Sequence, residues 1–122
     1  MQGQRFVIHV ELGTLAANTN GFIALPFACQ LIAVAAVGDN AHTATFDLGT
    51  VADPDGILDG KAPGVSDAGA YYYPADFNGA VATAGQPFPI AAEGELAWSV
   101  DFDGPTNTTA IQKASIDFWF AE

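Results

Sequence analysis

Four stretches of this chain place an apolar residue at every second position, and that period of two restricts the fold to paired β-strands with one dry and one wet face. From Arg5 to Leu12, Phe6, Ile8, Val10 and Leu12 share one side, while Arg5, His9 and Glu11 take the other. Thr43–Leu48 repeats the pattern, with Ala44, Phe46 and Leu48 inward. In Glu95–Asp103 the inward set is Leu96, Trp98, Val100 and Phe102. The final segment sets Ala114, Ile116, Phe118 and Phe120 against Lys113, Ser115, Asp117 and Trp119.

Two further strands are expected around Pro26. Gly21–Leu25 is short, and Gln30–Val37 is apolar on both faces, as in a central strand covered from both sides. The alanines of Gln30–Val37 also suit a buried helix. Pro26 and Gly38-Asp39-Asn40 bracket it at strand length, which favours the strand. Between about 50 and 94 the alternation fades, and five of the seven prolines fall there. This stretch reads as an irregular loop excursion with short strands at Ala70–Tyr73 and Ala80–Thr83. So long a segment without structure is rare in a compact domain, so it is expected to pack over the sandwich or against a neighbouring subunit. The whole chain, 1–122, then forms one all-β domain, an antiparallel β-sandwich of jelly-roll type with its end strands near each other.

Charge narrows the partners. Three basic residues (Arg5, Lys61, Lys113) stand against fourteen acidic ones, a formal net charge of −11. Such a field repels phosphate backbones and anionic lipid, so neither nucleic acid nor membrane is an expected partner. Phe22–Val37, the longest apolar stretch, is interrupted by Pro26 and Gln30 and lacks basic flanks, so it is not a membrane span. No signal-peptide core follows Met1, which leads to the expectation of a product made in a cytosol. Cys29 has no second cysteine to pair with and reads as a small buried hydrophobe.

Catalytic patterns are weak. Nucleophilic catalysis needs a Ser, Cys or Thr beside an oriented base. The two histidines, His9 next to Glu11 on a wet strand face and His42 in a turn, offer no such arrangement. Carboxylate pairs abound without any specific spacing for glycosidase chemistry. In Asp53-Pro-Asp55-Gly-Ile-Leu-Asp59-Gly, Asp53, Asp55 and Asp59 could give three oxygens to calcium. The spacing departs from the helix-flanked calcium loop, and Asp-Pro and Asp-Gly are ordinary turn formers. The expectation is therefore no cofactor and no catalytic residue, with those three aspartates as the one place for a metal.

Aromatic residues give the better lead. Tyr71, Tyr72 and Tyr73 run consecutively, and in a strand either Tyr72 or its two neighbours must face outward. Trp119 stands on the polar face of its strand, where a large aromatic commonly serves as a binding anchor unless the 50–94 excursion covers it. These four are the candidate interface residues. They would serve a protein partner or a sugar equally well.

The succession Glu11-Leu-Gly-Thr14, Gly21-Phe-Ile-Ala-Leu-Pro-Phe27, Leu31-Ile-Ala-Val-Ala-Ala-Val37, Ala44-Thr-Phe-Asp-Leu-Gly49, Gly94–Gly104 and Ala114-Ser-Ile-Asp-Phe-Trp-Phe120 resembles small β-sandwich virion proteins of tailed bacteriophages. Among these the nearest type is the capsid decoration, or cement, protein. The resemblance implies a homo-oligomer, a trimer by preference, on the capsid exterior at junctions between copies of the major capsid protein. It implies no catalytic residue. Tail, neck or fibre modules and a carbohydrate-binding module are the alternatives.

Overall fold

The alternation is realised as two antiparallel sheets. The computed structural model describes residues 4–102 and 109–122, and its strands are β1 (Arg5–Leu15), β2 (Thr19–Leu25), β3 (Cys29–Val37), β4 (Thr45–Gly49), β5 (Leu58–Lys61), β6 (Ala70–Tyr72), β7 (Phe88–Ile90), β8 (Gly94–Asp101) and β9 (Ile111–Ala121). One sheet has the order β1-β9-β3-β6, with β7 also on β3, and the other has β2-β8-β4-β5.

The pairings nest. β1 pairs β9, β2 pairs β8, β3 pairs β6 and β7, and β4 pairs β5, all antiparallel. This is one long hairpin doubled at the β4–β5 turn. Rolling it up brings β9 against β3 and β8 against β4. That wrapping is the jelly roll. The end strands do more than lie near each other: β1 and β9 are hydrogen-bonded from Arg5↔Ala121 to Leu15↔Ile111.

The inward residues of the four alternating stretches fill the space between the sheets. Phe46, Leu48, Leu96, Ile116, Phe118 and Phe120 are almost fully buried, and among the described residues no polar or charged side chain is. The acidic excess therefore lies on the surface. Cys29 is buried with the core, and burial pushes its thiol above the ordinary range. Gly21 sits directly across from Trp98, and a Cβ there would come within 2.6 Å of the Trp98 ring. The missing side chain is what admits the indole to the core.

The 50–94 stretch is more regular than expected. It supplies β5, β6 and β7 to both sheets, and Ile57, Leu58, Phe77 and Ile90 reach into the core. Two expectations need correction. Ala80–Thr83 forms turns and not a strand, held by bonds such as Ala82 N–H to the Gly79 carbonyl. The strand expected at Ala70–Tyr73 stops at Tyr72, because Pro74 follows and starts a 3₁₀ turn, Pro74–Asp76. Strand boundaries shift elsewhere too: β4 begins at Thr45, and β8 ends at Asp101. Asp103, expected in that last strand, lies outside the described residues.

Candidate interaction surface

The outer face of the five-stranded sheet carries the candidate aromatics. Strand registers set its rows. Val7, Trp119 and Ala33 line up across β1, β9 and β3, and His9, Asp117, Ala35 and Tyr71 form the next row, reaching β6. Small Ala33 and Ala35 leave low ground between large neighbours. The Trp119 ring stands beside that depression, 41% exposed, with Tyr71 (62%) and Tyr73 (53%) across it.

A break in the β3–β9 ladder deepens the apolar character. Pairing jumps between Leu31 and Ala33, so Ile32 is an extra residue, and both Ile32 and Ala33 line the groove. This accounts for the apolar run of Gln30–Val37 differently from the expectation. Leu31, Val34 and Ala36 go inward, while the residues on the other side floor an open groove and are not covered by a further layer.

The far wall is built by the 3₁₀ turn. The Tyr73 N–H donates to the Asp76 carboxylate at 2.9 Å, and the Gly85 N–H donates to the Pro74 carbonyl at 2.8 Å. These bonds bring Pro74 and Pro87 to the same rim, and Arg5 and Ala121 close one end. The groove encloses about 610 Å³, and a smaller hollow of about 190 Å³ lies on the Asp117 side of Trp119.

Tyr71, Tyr73 and Trp119 are thus brought together, and Tyr72 is not among them. Its ring meets Phe46 edge-on at 5.6 Å, and its hydroxyl donates to the Ala62 carbonyl at 2.6 Å. Burial pushes its phenol above the ordinary range. The excursion flanks Trp119 without covering it. Sequence reasoning passed over Ile32, Pro74, Pro87 and Arg5. Only the doubly apolar β3 run signalled any of them.

The three aspartates of the β4–β5 turn do not converge. A contact with Asp55, followed by burial, raises the Asp53 carboxyl above the ordinary range. Asp47 is raised first by burial, which the Gly60 N–H donated at 2.6 Å partly offsets, and further by Asp59 and Asp55. Among the described residues no group of three or more His, Cys, Asp or Glu side chains is placed to hold a metal ion. The backbone closes the loop as a turn, with Thr50 and Asp53 bonded in both directions.

His42 is committed to the backbone. The Ala44 N–H donates to its Nδ1 at 3.2 Å, and Nε2 lies 2.9 Å from the Gly64 carbonyl. His9 sits on the groove face between two acids. Its Nδ1 meets Asp117, and its Nε2 lies 3.2 Å from Glu11. Hydrogen bonding to Asp117, then to Glu11, raises its pKa above 6.5. Because the folded value is the higher one, its contribution to stability is complete below about pH 6.5 and is lost as pH rises through the folded pKa. An NMR titration of the His9 ring should show a midpoint above 6.5, falling in Asp117→Asn. An unchanged midpoint in that variant would contradict the contact.

No protein-family model matches the sequence, and no curated protein matches it. A chain of the cyanophage Pam1 capsid asymmetric unit superposes with a TM-score of 0.60 at 13% identity, over 98% of this chain and 86% of that one. The fold is shared with a phage capsid chain. At that identity the likeness is one of backbone architecture. The likeness therefore runs over nearly all of this chain and most of the other.

Proposed function

We propose that this protein is a structural virion component of a tailed bacteriophage, a decoration protein that binds the outer capsid and stabilises the shell. The observation that carries this reading is the whole-chain fold likeness to a chain of a phage capsid asymmetric unit. A sandwich embedded in a much larger protein would have been covered only in small part.

The surface chemistry supports the same reading. An open groove walled by Trp119, Tyr71 and Tyr73 is a rigid, amphipathic docking site of the kind that anchors protein contacts. A net charge of −11 keeps the free protein soluble at the high copy number a shell requires, and steers it to basic surface on its partner. In this reading the partner is the major capsid protein, and copies gather in threes around capsomer junctions. Synthesis is in the host cytoplasm and the final location is the virion exterior. No catalytic step or cofactor is involved. Binding the assembled lattice more tightly than free subunits stabilises the shell by mass action.

The direct test mixes purified protein with undecorated heads of the phage that encodes it and sediments the particles. Saturable co-sedimentation that weakens with rising salt is expected. Absence of binding would remove the decoration role. Three aromatics around one groove also suit a sugar ring, and a glycan array with Tyr71→Ala as control separates that reading. Glycan binding lost in the variant, with no binding to heads, would favour a carbohydrate module.

A further inference from the structure

β1 is the outermost strand of its sheet, and among the described residues its only strand partner is β9. The direction of its free backbone groups follows from one bond. The Glu122 N–H donates to the Gln4 carbonyl at 2.8 Å, so position 4 bonds toward β9. In an antiparallel ladder this alternates, so Phe6, Ile8 and Val10 also bond toward β9. Arg5, Val7, His9 and Glu11 then turn their N–H and C=O groups to the open side, and their side chains are exposed on the groove face. The regular run ends at Gly13, where φ is +64° and the register breaks.

Charges on an edge strand usually oppose pairing with another copy. Here their order does the reverse in one register. With an antiparallel copy related by a twofold axis through Ile8, Arg5 stands opposite Glu11 and Val7 opposite His9. Every outward N–H and C=O of the four residues then has a partner. Sliding by two residues either sets Arg5 against His9 or puts His9 against its own copy. Arg5 has no carboxylate within ion-pair distance among the described residues. The inward residues agree: Phe6, Ile8 and Val10 are only partly buried, whereas Ile116, Phe118 and Phe120 on neighbouring β9 are almost wholly so.

We propose that two copies of this chain join edge to edge through antiparallel β1 strands about a twofold axis at Ile8, with Arg5 of each opposite Glu11 of the other. The two five-stranded sheets become one continuous sheet, with both Trp119 grooves on the same face. The pairing does not rest on the capsid reading.

Sedimentation equilibrium of the full chain tests it. An even number of copies is expected: two, or six if a threefold contact also operates. A monomer or a trimer would overturn the proposal. Arg5→Glu and Glu11→Arg should each weaken the twofold contact about tenfold or more, and the double exchange should restore it. Val7→Pro removes an N–H that faces the open side, so it should break the pair while the subunit still melts cooperatively. A pair that survives both single exchanges would place the contact on another surface, and the proposal would fail.

Discussion

Trp119→Ala is expected to leave a folded protein that has lost most of its hold on a capsid surface, with affinity down by about thirtyfold or more, as for an aromatic hot spot. Trp119 is in register with Val7 and Ala33 on the outer face of the sheet, and it buries none of its ring between the sheets. Its loss should therefore cost the subunit only about 1 kcal/mol, a fall of about 5 °C in melting temperature. Co-sedimentation with heads, set beside thermal melts of the free protein, checks both halves. A variant that binds normally, or one whose binding falls only because it unfolds, would contradict the assignment of Trp119 to the docking face.

The adjacent residue should behave in the opposite way. Phe118 is fully buried on the inner face of a strand flanked by β1 and β3. Phe118→Ala removes a ring from a close-packed interior that can only partly collapse, and about 3–5 kcal/mol of stability should go with it. In a domain of this size that is a fall of roughly 15–25 °C in melting temperature. Urea titration followed by tryptophan fluorescence measures it. A loss below about 1 kcal/mol would mean that the space between the sheets refills, and that the core is less rigidly packed than its burial indicates. One residue apart, the two substitutions separate attachment from folding.

These opposite placements were legible because alternation alone sorts the residues of β9 onto two faces. The same signal marked β1, β4 and β8, and with short strands and turns between them it implied the sandwich. β5 and β7 were not legible. Leu58-Asp-Gly-Lys61 has Gly60 at a positive φ and no alternation, and Phe88-Pro-Ile90 carries a proline that is tolerated because β7 pairs on one side only. Ala80–Thr83 misled in the other direction: its adjacent Val81 and Ala82 sit in turns fixed by backbone bonds that no composition announces.

The groove was half legible. Each of Trp119, Tyr71 and Tyr73 stood out as a large aromatic in a polar or irregular setting. Their meeting depends on β6 pairing with β3, which in turn pairs with β9, a relation between distant segments that local pattern does not contain. Ile32 faces the groove because the ladder skips it, and the sequence around it reads as an unbroken apolar strand. Tyr72 shows the limit of residue type as a guide. It has the same chemistry as its neighbours, and the strand turns it the other way.

The position of β9 between β1 and β3 also sets a timetable. During synthesis the first and third strands emerge early, yet the segment that must separate and join them is among the last of these 122 residues to appear. The five-stranded sheet cannot close on a nascent chain still tethered near residue 110. Until then two strand borders wait without their neighbour, and closure draws together segments far apart in sequence, which makes folding slow and the waiting form prone to clumping. A messenger cut short at codon 110 would therefore yield a sheet lacking its central stave.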